Sequence, residues 1–303
     1  MDLIWQFILV LIGYVFLISR VGCICLDSGI LDEGFSMNKA VIMAAGLGKR
    51  MQQKTTTSAV DAQQSQVADT GIKGLIPIDR PFLDYVMSAL ADAGYQEVCL
   101  VVGPKHQALR DYYGQLKPTR ITIHFAEQKE PKGTADAVAS VESFANGDSF
   151  LVINSDNYYP VEALKLLRDF DTCGTIAFDR KGLLNGNIPS ERIARYAILD
   201  IDDNQYLRGI VEKPDLAWVD QLPEPICVSM NCWRFDADIF QACQNIKPSV
   251  RGELEMADAV QYAIDKMQKR FYVKVVSLPV LDMTSRLDIA SVGEHLAGVS
   301  VSL

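Results

Sequence analysis

The sequence predicts an α/β fold, a three-layer αβα sandwich with a mostly parallel central sheet. Three observations carry this reading. Strand-like and helix-like segments alternate from residue 39 to residue 170 with short connections. The strand-like segments are continuous apolar runs, such as Val41, Ile42, Met43 and Leu151, Val152, Ile153, as expected of strands buried on both faces. No repeat or linker interrupts the chain beyond residue 37, so one domain over 37–303 is expected behind an apolar N-terminal extension over 1–36.

The first strand, residues 39–43, runs into Ala44, Ala45, Gly46, Leu47 and Gly48, and then into Lys49 and Arg50. Small residues let backbone N–H groups approach an anion, and the two cations supply charge, so the turn can cradle phosphate. An ordinary strand-to-helix turn with solvated cations is the alternative for a single glycine-rich loop. Residues 52–70 are rich in Gln, Thr, Ser and Ala, show no apolar face of either period, and are expected to form a mobile flap over the loop. Residues 71–78 form a short apolar segment carrying one cation, Lys73.

A helix follows over 81–93, with Pro81 in its first turn, apolar Phe82, Tyr85, Val86 and Leu90, and Gly94 to end it. Strands are expected over 97–102, 121–126 and 150–154, with helices over 106–113, 134–144 and 160–170. The less regular second half reads as strands over 174–178, 196–200, 207–212, 227–234 and 271–276, with a helix over 254–267. In such a sheet, ligands bind beyond the carboxyl ends of the strands.

Composition narrows the function. Hydrophobic residues at 49% and charged residues at 22% describe a folded protein, and a net charge of −9 excludes a general nucleic-acid surface. A phosphate ligand therefore needs local cations or a metal. The seven cysteines show no metal-ligand spacing and read as reduced thiols of a cytoplasmic protein. His106, His124 and His295 stand far apart, which argues against a histidine metal site or triad. Residues 3–18 are apolar but slightly short for a membrane span, and Asp2 stands where a signal peptide is positive. They allow three readings: upstream sequence included by an early start, with Met37 as the true one; an anchor holding the rest of the chain in the cytoplasm; or an export signal.

Several strand ends carry chemistry. Asp156 closes the strand over 150–154, and Asp282 closes another apolar run; carboxylates on adjacent strand ends would hold one Mg²⁺, although each could instead cap a helix. Gln128 precedes a loop with Gly133 and Thr134, and its amide can both donate to and accept from a base edge. Glu212 and Lys213 are adjacent on an extended chain, where neighbours point to opposite sides and are not expected to pair.

These segments, in this order, resemble the sugar-1-phosphate nucleotidyltransferases, in particular glucose-1-phosphate thymidylyltransferases and uridylyltransferases. Residues 44–51 resemble the family's A-A-G-x-G-T-R-L/M signature, Lys73 its later lysine, and Gln128 with Gly133 and Thr134 its base-binding loop. Ser155, Asp156 and Asn157 resemble its G-D-N turn, Arg195 to Ala197 its R-Y-G strand, and Glu212 to Pro214 its E-K-P. Residues 252–258 resemble G-E-L/Y-E-I/L-T-D, and residues 282–285 D-T/V-G-T. The match runs from about residue 39 to about residue 296. Lys49, the long 52–70 connection, Ser155, Ala197, Ser285 and Arg286 depart from the pattern.

The resemblance implies a Rossmann-like nucleotidyltransferase fold and attack by a sugar 1-phosphate on a nucleoside triphosphate, releasing pyrophosphate. It assigns Arg50, Lys73 and Lys213 to catalysis, and Ala44, Ala45, Gly46, Gly48, Gln128, Gly133 and Thr134 to the nucleotide. Glu212, Lys213 and Asn231 fall to the sugar phosphate, and Asp156 and Asp282 to Mg²⁺. Similarity leans to dTTP or UTP; GTP stays open, and a homo-oligomer is allowed. Three alternatives compete: a non-catalytic nucleotide-sugar-binding relative, a glycosyltransferase consuming a nucleotide sugar, and a dinucleotide oxidoreductase, whose third glycine is missing here.

Overall fold

The computed structural model describes residues 37–54 and 60–303, so the three readings of the 1–36 extension fall on residues outside it. From Met37 onward the chain is one compact unit. Its first half comprises β1 (Lys39–Met43), α1 (Lys49–Gln52), α2 (Ala62–Thr70), a 3₁₀ turn (Lys73–Leu75), α3 (Phe82–Asp92), β2 (Glu97–Val102), α4 (Gln107–Gln115), β3 (Thr122–Glu127), α5 (Thr134–Ala139), α6 (Glu142–Ala145) and β4 (Phe150–Asn154). Then come β5 (Asn157–Tyr158), α7 (Val161–Arg168), β6 (Gly174–Asp179), α8 (Arg180–Leu184), a second 3₁₀ segment (Ser190–Arg195), β7 (Ala197–Ile201) and β8 (Leu207–Glu212). The last part holds α9 (Leu216–Val219), β9 (Cys227–Phe235), α10 (Asp238–Asn245), α11 (Met256–Met267), β10 (Tyr272–Val276), β11 (Leu281–Asp282) and α12 (Asp288–Leu296).

The main sheet has the order β10-β6-β9-β4-β1-β2-β3, with β7 and β8 attached beside β9. β1 runs parallel to β2 and β4, β2 to β3, and β6 to β10, while β9 lies antiparallel between β4 and β6. Six of the seven strands on this path therefore point one way, as the buried apolar runs predict. Alternation along each strand feeds two cores. Ala40, Ile42, Leu151 and Ile153 pack with residues of α3, α7 and α12, whereas Val41, Phe150 and Val152 pack with α5, α10 and α11. This is the three-layer sandwich.

The 52–70 flap is corrected in its larger part. Residues 55–59 lie outside the description, but 62–70 form α2, started by a capping box between Asp61 and Gln64 and ended by Gly71 at φ 78°. Its second support lies far away in the chain. Arg286, itself buried, donates from Nη1 to the Ser65 hydroxyl at 3.0 Å and from Nη2 to Asp69 at 2.5 Å. A segment with no strong apolar face is thus held by polar tertiary contacts. α10 is an element the sequence reading passed over, although Ile239, Phe240, Ala242 and Cys243 bury one face of it.

Candidate active site

Parallel pairing of β1 with β4 sets Met43 opposite Asn154, so the loop after β1 and the turn after β4 leave the sheet side by side. Between them opens a cleft of about 550 Å³. Ala44, Ala45, Gly46, Gly48, Arg50, Lys73, Gln128, Gly133, Thr134 and Asp156 all line it, from five separate stretches of chain. Asp282, Glu212, Lys213 and Asn231 do not.

The glycines of the loop differ in purpose. A Cβ added to Gly46 meets nothing within 4 Å, so this backbone faces open space where an anion can approach. Gly48 has φ 59°, and a Cβ there would lie 2.0 Å from the Gly71 carbonyl oxygen. Close backbone packing against Gly71, which leads into Lys73, requires this glycine. Gly133 is similar: its Cβ would lie 2.4 Å from the Leu254 carbonyl oxygen.

Behind the loop stands His106, which the sequence reading had set aside. Its Nδ1 accepts the Gly103 N–H at 3.0 Å, leaving Nε2–H to face the Gly46 carbonyl. Burial lowers its pKa, which favours the uncharged ring.

Cations and carboxylates converge across the cleft. Lys73 Nζ lies 2.8 Å from Asp156 Oδ2, and both side chains remain partly exposed. Arg50 and Lys49 have no acidic partner among the described residues and are exposed at the mouth. Asp282 is beside Asp156 along the backbone: Met283 N–H donates to the Asp156 carbonyl at 2.8 Å, and Asp282 pairs with Asn157 across β11 and β5. Its carboxylate, however, is buried and accepts from Arg192 at 2.5 Å, from Tyr196 and from Thr284. Burial, and then the charge of Asp156, push its pKa above the ordinary value. Arg192, which also pairs with Asp288 at 2.6 Å, had no local signal in the sequence.

The remaining assigned residues are placed as follows. Gln128 donates from Nε2 to the Gly133 carbonyl at 2.9 Å and to Asp136 Oδ2 at 2.8 Å. Thr134 accepts the Met256 N–H at 2.8 Å through its hydroxyl, which ties the loop to the start of α11. Lys213 adopts φ 48° and leaves the extended conformation, so its Nζ turns back to 3.5 Å from Glu212 Oε1. The expectation that this pair points apart is thereby corrected. Burial, and then Glu255, raise the Glu212 pKa, and Arg251 reaches both acids, at 2.7 Å from Glu255 and 3.5 Å from Glu212. Arg251 was also missed, although it directly precedes the Gly252-Glu253 motif. Asn231 sits at φ 53° where β9 passes from β7 to β4, with Nδ2 3.4 Å from Asn154 Oδ1 at the cleft rim.

Comparison with known proteins identifies the family and the fold. Residues 39–277 match the sequence pattern of the family described as nucleotidyl transferase. The low-salt glycan biosynthesis nucleotidyltransferase Agl11 of Haloferax volcanii is 26% identical over 238 residues, covering 75% of this chain and 59% of its own. A glucose-1-phosphate thymidylyltransferase of Streptomyces griseus is 28% identical, covering 75% and 57%. The UTP–glucose-1-phosphate uridylyltransferase AglF of Haloferax volcanii is 26% identical, covering 75% and 83%. The chain thus spans a little over half the length of the first two and most of the third. Among solved structures, a UDP-glucose pyrophosphorylase complexed with UDP-glucose superposes with a TM-score of 0.66 at 19% identity, over 86% of this chain and 98% of that one. At that identity the likeness speaks for the fold. The matched pattern covers β1 through β10 and every cleft-lining residue except Thr284, and on that ground the chain belongs to the sugar-1-phosphate nucleotidyltransferase family.

Proposed function

We propose that this protein catalyses Mg²⁺-dependent transfer of a nucleotidyl group from a nucleoside triphosphate to a sugar 1-phosphate. The products are a nucleotide sugar and pyrophosphate. The observation that carries the reading is the Lys73–Asp156 pair, 2.8 Å apart, in the same cleft as the open backbone of Gly46 and Arg50. Relatives named for glucose 1-phosphate with UTP or dTTP favour those substrates.

A phosphate oxygen of the sugar 1-phosphate forms a bond to the α-phosphorus, and the bond to the oxygen bridging the α- and β-phosphates breaks in line with it. The nucleophile is already ionised, so positioning and charge neutralisation supply the catalysis, and no general base is needed. Arg50 and the loop N–H groups hold the β- and γ-phosphates, and Lys73 neutralises charge at the α-phosphate. Lys213 takes the sugar phosphate, Glu212 a sugar hydroxyl, and Gln128 the base edge.

The donor set suits Mg²⁺. Among the described residues no group of three or more metal-binding side chains gathers, but Mg²⁺ takes one or two carboxylates and completes its shell with phosphate and water. Asp156 at the cleft, with Asp282 adjoining it, would hold the ion, which when bound polarises the phosphates and offsets their charge. Asp282 would exchange part of its contact with Arg192 and Tyr196 for that role. The free, buried cysteines among the described residues suit a reducing compartment, and on that ground we place the activity in the cytoplasm; no helix among these residues is long and apolar enough to cross a membrane.

The test is a matrix of nucleoside triphosphates against sugar 1-phosphates, read by pyrophosphate release. At least one pairing should turn over with Mg²⁺ and stop on chelation. Silence from every pairing, with nucleotide sugar still bound, would identify a regulatory relative instead.

A further inference from the structure

Gln128 lies at the end of β3, is 5% exposed and lines the cleft. Its Nε2 has two partners, the Gly133 carbonyl at 2.9 Å and the Asp136 carboxylate at 2.8 Å. Neither partner can donate: a peptide carbonyl and an ionised carboxylate only accept. Rotating the amide by half a turn would set its oxygen against two acceptors and leave both hydrogens unused, so its polarity is fixed. The Gly133 carbonyl is itself held, because Ala135 N–H donates to the Leu254 carbonyl at 2.9 Å and Leu254 N–H to the Lys132 carbonyl at 2.7 Å. With both hydrogens committed inward, Gln128 has only its carbonyl oxygen to offer, and that oxygen takes no donor from the described residues.

We infer that Asp136 fixes Gln128 as a hydrogen-bond acceptor toward the nucleotide, and so selects bases whose ring carries an imino N–H. Uracil, thymine and guanine carry one; at the matching ring nitrogen cytosine and adenine carry a lone pair, which would meet the Gln128 oxygen unpaired. The inference rests on the proposed reaction and narrows its substrate. Asp136 touches no base in this account. It acts through Gln128 as a positioning residue, and the bland alternative is that Gln128 merely clamps its own loop.

The experiment compares wild type with Asp136→Asn and Asp136→Ala on UTP and CTP, two nucleotides that differ only at the ring nitrogen and its neighbouring substituent. Steady-state pyrophosphate release gives kcat/KM, and calorimetric titration gives Kd without requiring turnover. Wild type should prefer UTP by about a hundredfold or more, as a site with a committed polar group does. Asparagine can present either amide face and alanine presents none, so each variant should narrow the UTP:CTP ratio by about tenfold or more at an unchanged melting temperature. A purely structural clamp would shift Tm and leave the ratio alone. Equal use of CTP by wild type, or an unchanged ratio in both variants, overturns the inference. A Kd ratio that responds to Asp136 in a protein releasing no pyrophosphate supports it while refuting the proposed catalysis.

Discussion

Arg286 offers the sharpest test of how the phosphate loop is held. It is 4% exposed and makes three side-chain contacts to two segments: Nε donates to the Met51 carbonyl at 2.9 Å in α1, and Nη1 to Ser65 Oγ at 3.0 Å and Nη2 to Asp69 at 2.5 Å in α2. It thereby links α1, which carries Arg50, and α2 to the turn that follows Asp282. Arg286→Met keeps the apolar stem and removes every donor. The buried charge-assisted bond to Met51 is worth about 1.5–3 kcal/mol and the Ser65 bond about 1 kcal/mol. The Asp69 pair adds less than about 1 kcal/mol, because the acid's side chain is 52% exposed and its charge is screened. The sum is a loss of about 3–5 kcal/mol. With an m-value of about 3 kcal/mol/M, the urea midpoint should fall by about 1–1.7 M. KM for the triphosphate should rise as α1 loosens. Asp69→Asn alone should cost less than about 1 kcal/mol. A Met variant within about 1 kcal/mol of wild type, or an Asp69 variant as damaging as it, would refute the reasoning.

Three further outcomes are expected. Gly48→Ala should lose about 1–3 kcal/mol, since its Cβ would sit 2.0 Å from the Gly71 carbonyl oxygen at φ 59°, while Gly46→Ala keeps stability and weakens the triphosphate; equal melting temperatures would contradict this. For His106, burial lowers the folded pKa, so below about pH 6.5 the unfolded chain takes up a proton that the folded chain resists. Its stabilisation is therefore full above that pH and is lost as pH falls through the lowered value; His106→Gln should flatten this acid limb in urea titrations, and an unaltered limb would remove the assignment. Asp156→Asn should cut turnover by about a hundredfold or more with little change in melting, and near-normal activity in Mg²⁺ would sink the metal assignment.

Much of this was readable in the chain itself. Unbroken apolar runs at residues 41–43 and 151–153 determined strands buried on both faces, and alternation with helices determined the parallel sheet. That geometry alone sends Gly46 and Asp156 to the same rim, because the residues after parallel strands emerge together. These are short-range patterns, set by the periods of strand and helix, and they survive being read one segment at a time.

What only the tertiary structure decided depends on partners distant in sequence. α2 has little amphipathic signal and is held by an arginine more than two hundred residues away; the Asp282 carboxylate is buried against Arg192, 90 positions earlier. Gly48 requires Gly71, and Lys213 folds back on Glu212 because its backbone leaves the extended region. The sequence brought the loop after β1, Lys73, Gln128 and Asp156 to the cleft, but did not reveal that Asp282, Glu212, Lys213 and Asn231 stand outside its lining. Which of them remain free to meet a ligand was decided by packing, since a hydrogen bond already made to a distant residue cannot be counted from the chain.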